Sequence, residues 1–198
     1  VLGGALARTN ARRDFRGARD EVLHLAGAAK GVGRVLLVGM GTATERATAL
    51  KRAASLAARR AHALGAGEMT FYAGALDGPD VEACAIGLTA GAWEYTDLKT
   101  PPPPDERRLP LTAATILVAD PKAHAAALRA GAAIGEGQSL ARTLGMMPGN
   151  LCTPDHLAAT ATNMAHKLGM KVTVLGRREM EERKMGSFLS VAVGTPQD

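Results

Sequence analysis

The sequence is poor in the residues that build aromatic cores, disulfide frameworks and cysteine-rich metal sites. Aromatic residues make up 3% of its 198 residues, and its two cysteines, Cys84 and Cys152, lie far apart in the chain. Two isolated thiols exclude a disulfide framework and fit a reducing compartment. No long apolar segment or secretory signal is present, so we expect a cytoplasmic protein with no membrane partner.

Small and aliphatic residues supply the apolar content instead, which is 46% of the sequence. This composition favours helices that pack closely against a sheet. The formal net charge is +5, but the basic residues occur in scattered pairs among acidic ones, as on an ordinary solvated surface. Nucleic acid is therefore an alternative partner and not the favoured one.

Apolar runs and helical patterns alternate along the first part of the chain. This alternation predicts an α/β fold with a largely parallel sheet. A proline-rich stretch at residues 101–108 is predicted to be a stiff, exposed connector. The predicted strands are residues 34–39, 69–73 and 112–119, and the predicted helices are residues 44–64, 81–95 and 123–144.

The third predicted helix, roughly 30 Å long, is long enough to bridge two domains, and Met147 to Asn150 break it. Thr153 and Pro154 then predict a new helix start, because a hydroxyl cap precedes a proline. Further predicted elements are a helix end at Gly169, a strand at 171–175, a helix at 178–184 and a strand at 188–194. We therefore expect a domain at 1–120, a junction at 121–150 and an incomplete second domain at 151–198, with the natural N-terminus missing before Val1.

One glycine motif could bind phosphate. Gly39-Met40-Gly41 follows a predicted strand and resembles the start of a dinucleotide fingerprint. Thr44 replaces the third glycine, and Arg60 stands where an acidic residue would contact the ribose. The motif therefore favours a tight strand-to-helix turn, and a remnant phosphate pocket is the alternative.

No other motif assembles a catalytic or metal site. The histidines lack the spacing that places two ligands on one helical face, so surface positions are expected for them. The glutamates at 179–182 lie among basic residues, as on a charge-paired helix, and the serines lack a nucleophile motif. These residues are His24, His62, His124, His156, His166, Glu179, Glu181, Glu182, Ser139, Ser187 and Ser190.

Three segments together resemble the leucyl (cytosol) aminopeptidase family. They are residues 35–41 (VLLVGMG), residues 90–95 (AGAWEY) with Lys99, and Ala141-Arg142 followed by Pro148, Asn150, Thr153 and Pro154. Residues 184–186 (KMG) add a similar entry to the second domain. The sequence departs from the family at Thr143, Met146 and Ile86, where Asp, Asn and an acidic residue are usual.

The resemblance implies a three-layer, macro-like N-terminal domain joined by a long helix to a peptidase domain. It also implies a cytoplasmic homo-hexamer that removes N-terminal residues from peptides with two divalent ions, Zn or Mn. The family's Lys, Asp and Glu ligand blocks are absent here, so we assign no catalytic, cofactor-binding or metal-binding residue. Two alternatives are a nucleotide- or ADP-ribose-binding module near Gly39 and Gly41, and a DNA-binding module.

Overall fold

The computed structural model describes residues 4–29, 31–42 and 44–194. The chain divides into two compact units, Val1–Thr143 and Leu144–Asp198. None of the described helices combines the length and the apolarity needed to cross a lipid bilayer. The predicted division at residues 120 and 150 remains a prediction.

Helices and strands alternate through most of the first unit, which confirms the α/β class. The last helix of this series extends slightly beyond the unit's boundary. The elements are α1 (Ala5–Arg12), β1 (Val22–Ala29), β2 (Val32–Val38), α2 (Arg46–Ala63), β3 (Glu68–Phe71), α3 (Gly78–Gly91), β4 (Ala113–Ile116) and α4 (Ala125–Met146).

The described strands form two pairs with different directions. Strands β3 and β4 are parallel, with Met69 opposite Ala114, as the alternation with helices predicts. Strands β1 and β2 are antiparallel, with Val22 opposite Val38. The prediction of a parallel strand at residues 34–39 was therefore wrong in direction. Its partner β1 was not predicted, and the connection between them is too short for a parallel crossover.

Small side chains form most of the core between α2 and α3. Leu50, Cys84 and Leu88 are buried beside Phe71 from β3. Alanines at every third or fourth position of α2 lie on the same buried face, so the two helix backbones approach closely. These alanines are Ala53, Ala54, Ala57, Ala58 and Ala61.

Helix α3 begins earlier than the sequence predicted because of its cap. The Asp77 carboxylate accepts a hydrogen bond from the Asp80 amide at 2.8 Å, and the Asp80 carboxylate faces the Asp77 amide at 3.4 Å. This capping box fixes the helix start at Gly78. The connector at residues 101–108 is exposed along its length, as predicted.

The first helix that lies wholly within the second unit forms where its local signals predict. Helix α5 spans Pro154–Leu168, capped by the Thr153 hydroxyl and ended by Gly169 in the left-handed conformation. A short charged helix, α6 (Arg177–Glu182), follows. The next elements are α7 (Gly186–Leu189) and a 3₁₀ turn at Ser190–Ala192.

The prediction of two strands in this unit was wrong. Residues 171–175 form no regular element, and residues 188–194 begin within a helix and continue as a 3₁₀ turn. A strand needs a neighbour to satisfy its backbone hydrogen bonds, whereas a helical turn satisfies them locally. In the described part of this unit there is no strand to pair with, and Val174, Phe188 and Val191 are exposed.

Candidate functional site

The glycine motif after β2 packs against the backbone of residues 17–21. The Gly39 amide donates to the Glu21 carbonyl at 2.8 Å, and the Gly41 amide donates to the Gly17 carbonyl at 2.9 Å. A β-carbon on Gly39 would overlap the Ala18 carbonyl. The close approach of residues 17–21 therefore explains the glycines. Both amides are already hydrogen-bonded, which argues against a phosphate pocket built on them.

Helix α3 lies between α2 and α4, and pairs of glycines line both contacts. A β-carbon on Gly91 would lie 2.7 Å from the Ser55 α-carbon of α2. A β-carbon on Gly135 would lie 2.6 Å from the Thr89 β-carbon of α3. Gly87 and Gly131, each four residues earlier, make the corresponding contacts one turn away. The helices can pack at this distance only because glycine has no side chain at these four positions.

The single tryptophan fixes the end of α3 to the last turns of α4. Its indole Nε1 donates to Thr143 Oγ1 at 3.0 Å. The Arg142 guanidinium lies 5.7 Å from the Trp93 ring centroid and donates to the Ala90 carbonyl at 2.8 Å. Two segments that carry the family resemblance, around Trp93 and around Arg142, therefore meet in the fold. Thr143, a departure from the family pattern, makes one of the contacts.

A small polar cluster follows the tryptophan. The Glu94 carboxylate accepts a hydrogen bond from Lys99 Nζ at 2.9 Å and lies 3.1 Å from His62 Nε2. Lys99, and then His62, hold the Glu94 pKa below its usual value. The Leu111 amide lies 3.4 Å from His62 Nδ1, so His62 joins α2 to the segment before β4.

A buried carboxylate and a buried thiol lie within α3. Asp80, whose side chain is 6% exposed, pairs with Arg46 at 3.2 Å. Cys84 is fully buried, and desolvation, reinforced by the Asp80 charge, raises its pKa to about 11. A thiol with this pKa is protonated at neutral pH, so Cys84 is a core residue and not a nucleophile.

The histidines, glutamates and serines named in the sequence analysis do not come together in a common site. His24 and His166 are exposed as expected, whereas His62, His124 and His156 are partly buried. Arg178 pairs with Glu182 at 3.2 Å on the exposed α6, which agrees with a charge-paired helix. Ser139 and Ser190 donate to carbonyls of their own helical turns. Among the described residues, no three His, Cys, Asp or Glu side chains are grouped to hold a metal ion.

The chain thus combines an α/β unit, which contains most of a long helix, with a second unit that is helical in its described part. Family models match both parts: "Cytosol aminopeptidase family, N-terminal domain" at residues 1–102 and "Cytosol aminopeptidase family, catalytic domain" at residues 139–198. This chain belongs to the cytosol aminopeptidase family. The resemblance seen in the sequence is therefore confirmed.

One curated relative supports this assignment, and two solved structures share the fold. A probable cytosol aminopeptidase of Burkholderia multivorans is 36% identical over 197 residues, which cover 96% of this chain and 39% of the relative. A mutant tomato leucine aminopeptidase has a TM-score of 0.81 at 22% identity, over 99% of this chain and 39% of its own. The bottromycin maturation enzyme BotP in complex with Mn has a TM-score of 0.66 at 24% identity, over 85% of this chain and 34% of its own. The chain thus spans about two-fifths of the length of the curated relative.

The contact between Arg142 and Trp93 was not predicted from the sequence. One signal was available, because Trp93 is the only tryptophan in a chain with few aromatic residues, and a partly buried indole usually finds a hydrogen-bond acceptor. Sequence could not identify Thr143 as that acceptor, since the two residues lie fifty positions apart.

Proposed function

We propose that this chain forms the N-terminal domain, the joining helix and the first part of the catalytic domain of a metal-dependent aminopeptidase. The enzyme removes N-terminal amino acids from peptides. The observation that carries the proposal is the order of the family matches, the N-terminal domain at residues 1–102 and the catalytic domain at 139–198. The proposed division is a domain at 1–120, a junction at 121–150 and the start of the peptidase domain at 151–198.

The described residues do not fit a metal site, because they hold no cluster of three suitable side chains. The divalent ions, Zn or Mn, are therefore assigned to parts of the protein outside these residues, and the relative solved with Mn supports a divalent ion. No catalytic residue is assigned to this chain. Its own contribution is structural: Trp93, Arg142 and Thr143 hold the C-terminal turns of α4 against α3.

The second unit has an exposed apolar surface that the remainder of a catalytic domain can cover. Its exposed apolar side chains include Leu157, Leu168, Val174 and Phe188, each at least 46% exposed. Exposed apolar side chains in this number are typical of a surface that another part of a protein covers. A cytoplasmic location and assembly into a homo-hexamer complete the proposal, and sedimentation of the intact protein tests the assembly.

The activity is tested with the intact protein and leucine p-nitroanilide. We expect hydrolysis that a chelator abolishes and that Zn or Mn restores. The matched control is the chain of the present sequence, purified and assayed alone, which we expect to release no nitroaniline. An intact protein that stays inactive with either metal, on this substrate and on unblocked peptides, contradicts the proposal.

A further inference from the structure

A groove lined by basic side chains runs over α3 between α2 and α4. Lys51, Arg52, Arg59 and Arg60 line it from α2, and Arg142 lines it from α4. Its volume is about 520 Å³, within the usual range of about 300–1,000 Å³ for small-molecule sites. We refer to this site, with these five residues, as the basic groove.

Small residues of α3 form the bottom of the basic groove, and they leave space between α2 and α4. Gly87 and Ala90 form part of it, and Gly87 packs directly on the Lys51 carbonyl. Leu56 and Ile86 are the large apolar side chains of the lining, and no aromatic ring is present among the lining residues. The groove therefore offers no aromatic ring on which a nucleobase could stack.

The positive charge of the groove is poorly neutralised. Asp20 is the one carboxylate among the described residues of the lining, and it pairs with Arg52, whose Nε lies 2.6 Å from Asp20 Oδ1. Arg142 donates to the Ala90 carbonyl, which is neutral. Lys51, Arg59 and Arg60 form no ion pair in the part of the chain that the structure describes.

Four cations that pair with no carboxylate among the described residues thus line one cavity, and each repels the others. An anion that enters the cavity relieves this repulsion and accepts charge-assisted hydrogen bonds from the guanidinium groups. Lys51 and Arg59 are about 12 Å apart along α2 at 1.5 Å per residue. A single phosphate contacts the cations at both positions only if the two side chains bend toward each other, whereas a chain of phosphates can extend along the helix past both.

We propose that the basic groove binds a short chain of phosphate groups, such as an inorganic oligophosphate. The observations that support this ligand are the cavity volume, the row of cations and the absence of an aromatic ring in the lining. Arginine favours phosphate because its fork of donors matches two phosphate oxygens. The site is separate from the proposed peptidase function, since none of its residues is assigned a part in peptide hydrolysis.

Isothermal titration of the intact protein with tripolyphosphate, at about 0.1 M salt to screen weak surface attraction, tests the proposal. We expect saturable binding, and orthophosphate should bind at least about tenfold more weakly because it reaches fewer cations. The double variant Arg59→Gln/Arg60→Gln should raise the dissociation constant for tripolyphosphate about tenfold or more. Lys51→Gln is a second, independent variant in the groove and should weaken binding in the same direction.

The matched control removes the same charge elsewhere in the first unit. Lys122→Gln/Arg129→Gln changes two exposed cations outside the groove lining and should alter the dissociation constant less than about twofold. Absence of saturable binding overturns the proposal, as does an equal loss in both double variants. Tighter binding of a short DNA duplex than of tripolyphosphate, lost in Arg59→Gln/Arg60→Gln, also overturns it and assigns the groove to a nucleic-acid backbone.

Discussion

The close approach of α3 and α4 predicts opposite effects for the same substitution at two glycines of one helix. Gly131 is buried, and a β-carbon there would overlap the Glu82 carbonyl and lie 2.7 Å from the Ala85 β-carbon. Gly137 is exposed in the same helix, with nothing within 4 Å of its β-carbon position. Alanine at either position raises the helix propensity of α4, but only at Gly131 does the added β-carbon collide with another helix. Comparing the two variants therefore separates the two effects on the free energy of unfolding.

Alanine in place of glycine favours a helix interior by about 1 kcal/mol. Gly137→Ala should therefore stabilise the first unit by up to about 1 kcal/mol. At Gly131 the same gain is opposed by overpacking, which costs about 1–3 kcal/mol, and the cost falls near the upper end because backbone atoms of Glu82 cannot rotate away. We expect a net loss of about 1–2 kcal/mol for Gly131→Ala.

Urea unfolding followed by tryptophan fluorescence measures both variants, since Trp93 lies where α3 and α4 meet. The free energies of unfolding of Gly131→Ala and Gly137→Ala should differ by about 2–3 kcal/mol, with opposite signs relative to the wild type. If Gly131→Ala proves as stable as Gly137→Ala, α3 and α4 do not approach this closely and the reasoning is refuted.

Further predictions concern three ionisable side chains. Arg46→Met should destabilise the first unit by about 1–3 kcal/mol, measured by urea unfolding, because it leaves the buried Asp80 carboxylate without its cation; unchanged stability contradicts this. Cys84, with its pKa raised to about 11, should react with a thiol reagent only after unfolding, whereas the partly exposed Cys152 should react in the native protein; two rapidly reacting thiols contradict this. Glu94 has a pKa lowered from 4.5, so its contribution to stability is complete above that value and is lost as the pH falls through the lower folded pKa. Glu94→Gln should therefore lose less Tm than the wild type between about pH 5 and about pH 3, and parallel curves contradict this.

Local signals explain which elements could be predicted from the sequence. Thr153, Pro154 and Gly169 act on neighbouring backbone groups, and the helix they predict begins and ends where expected. The strand at residues 188–194 depended instead on a partner strand, and the described residues of its unit supply none. Its apolar composition, which suits a buried strand, could not show that the partner was missing.

The basic groove could not be predicted from the sequence. Lys51 and Arg60 lie in scattered basic pairs, which the sequence assigns to an ordinary solvated surface. Arg142 lies near them because the glycines of α3 and α4 allow the helices to pack closely. The family, in contrast, was visible in segments such as that around Trp93, because short motifs remain recognisable without knowledge of their contacts.

We propose that this chain contributes two parts of a metalloaminopeptidase but not its metal ligands. Metal content by elemental analysis, after dialysis against Mn or Zn, tests this most directly. The intact protein should retain about two divalent ions per polypeptide, and the chain of the present sequence alone should retain none. Stoichiometric metal on this chain alone, or none on the intact protein, would contradict the account.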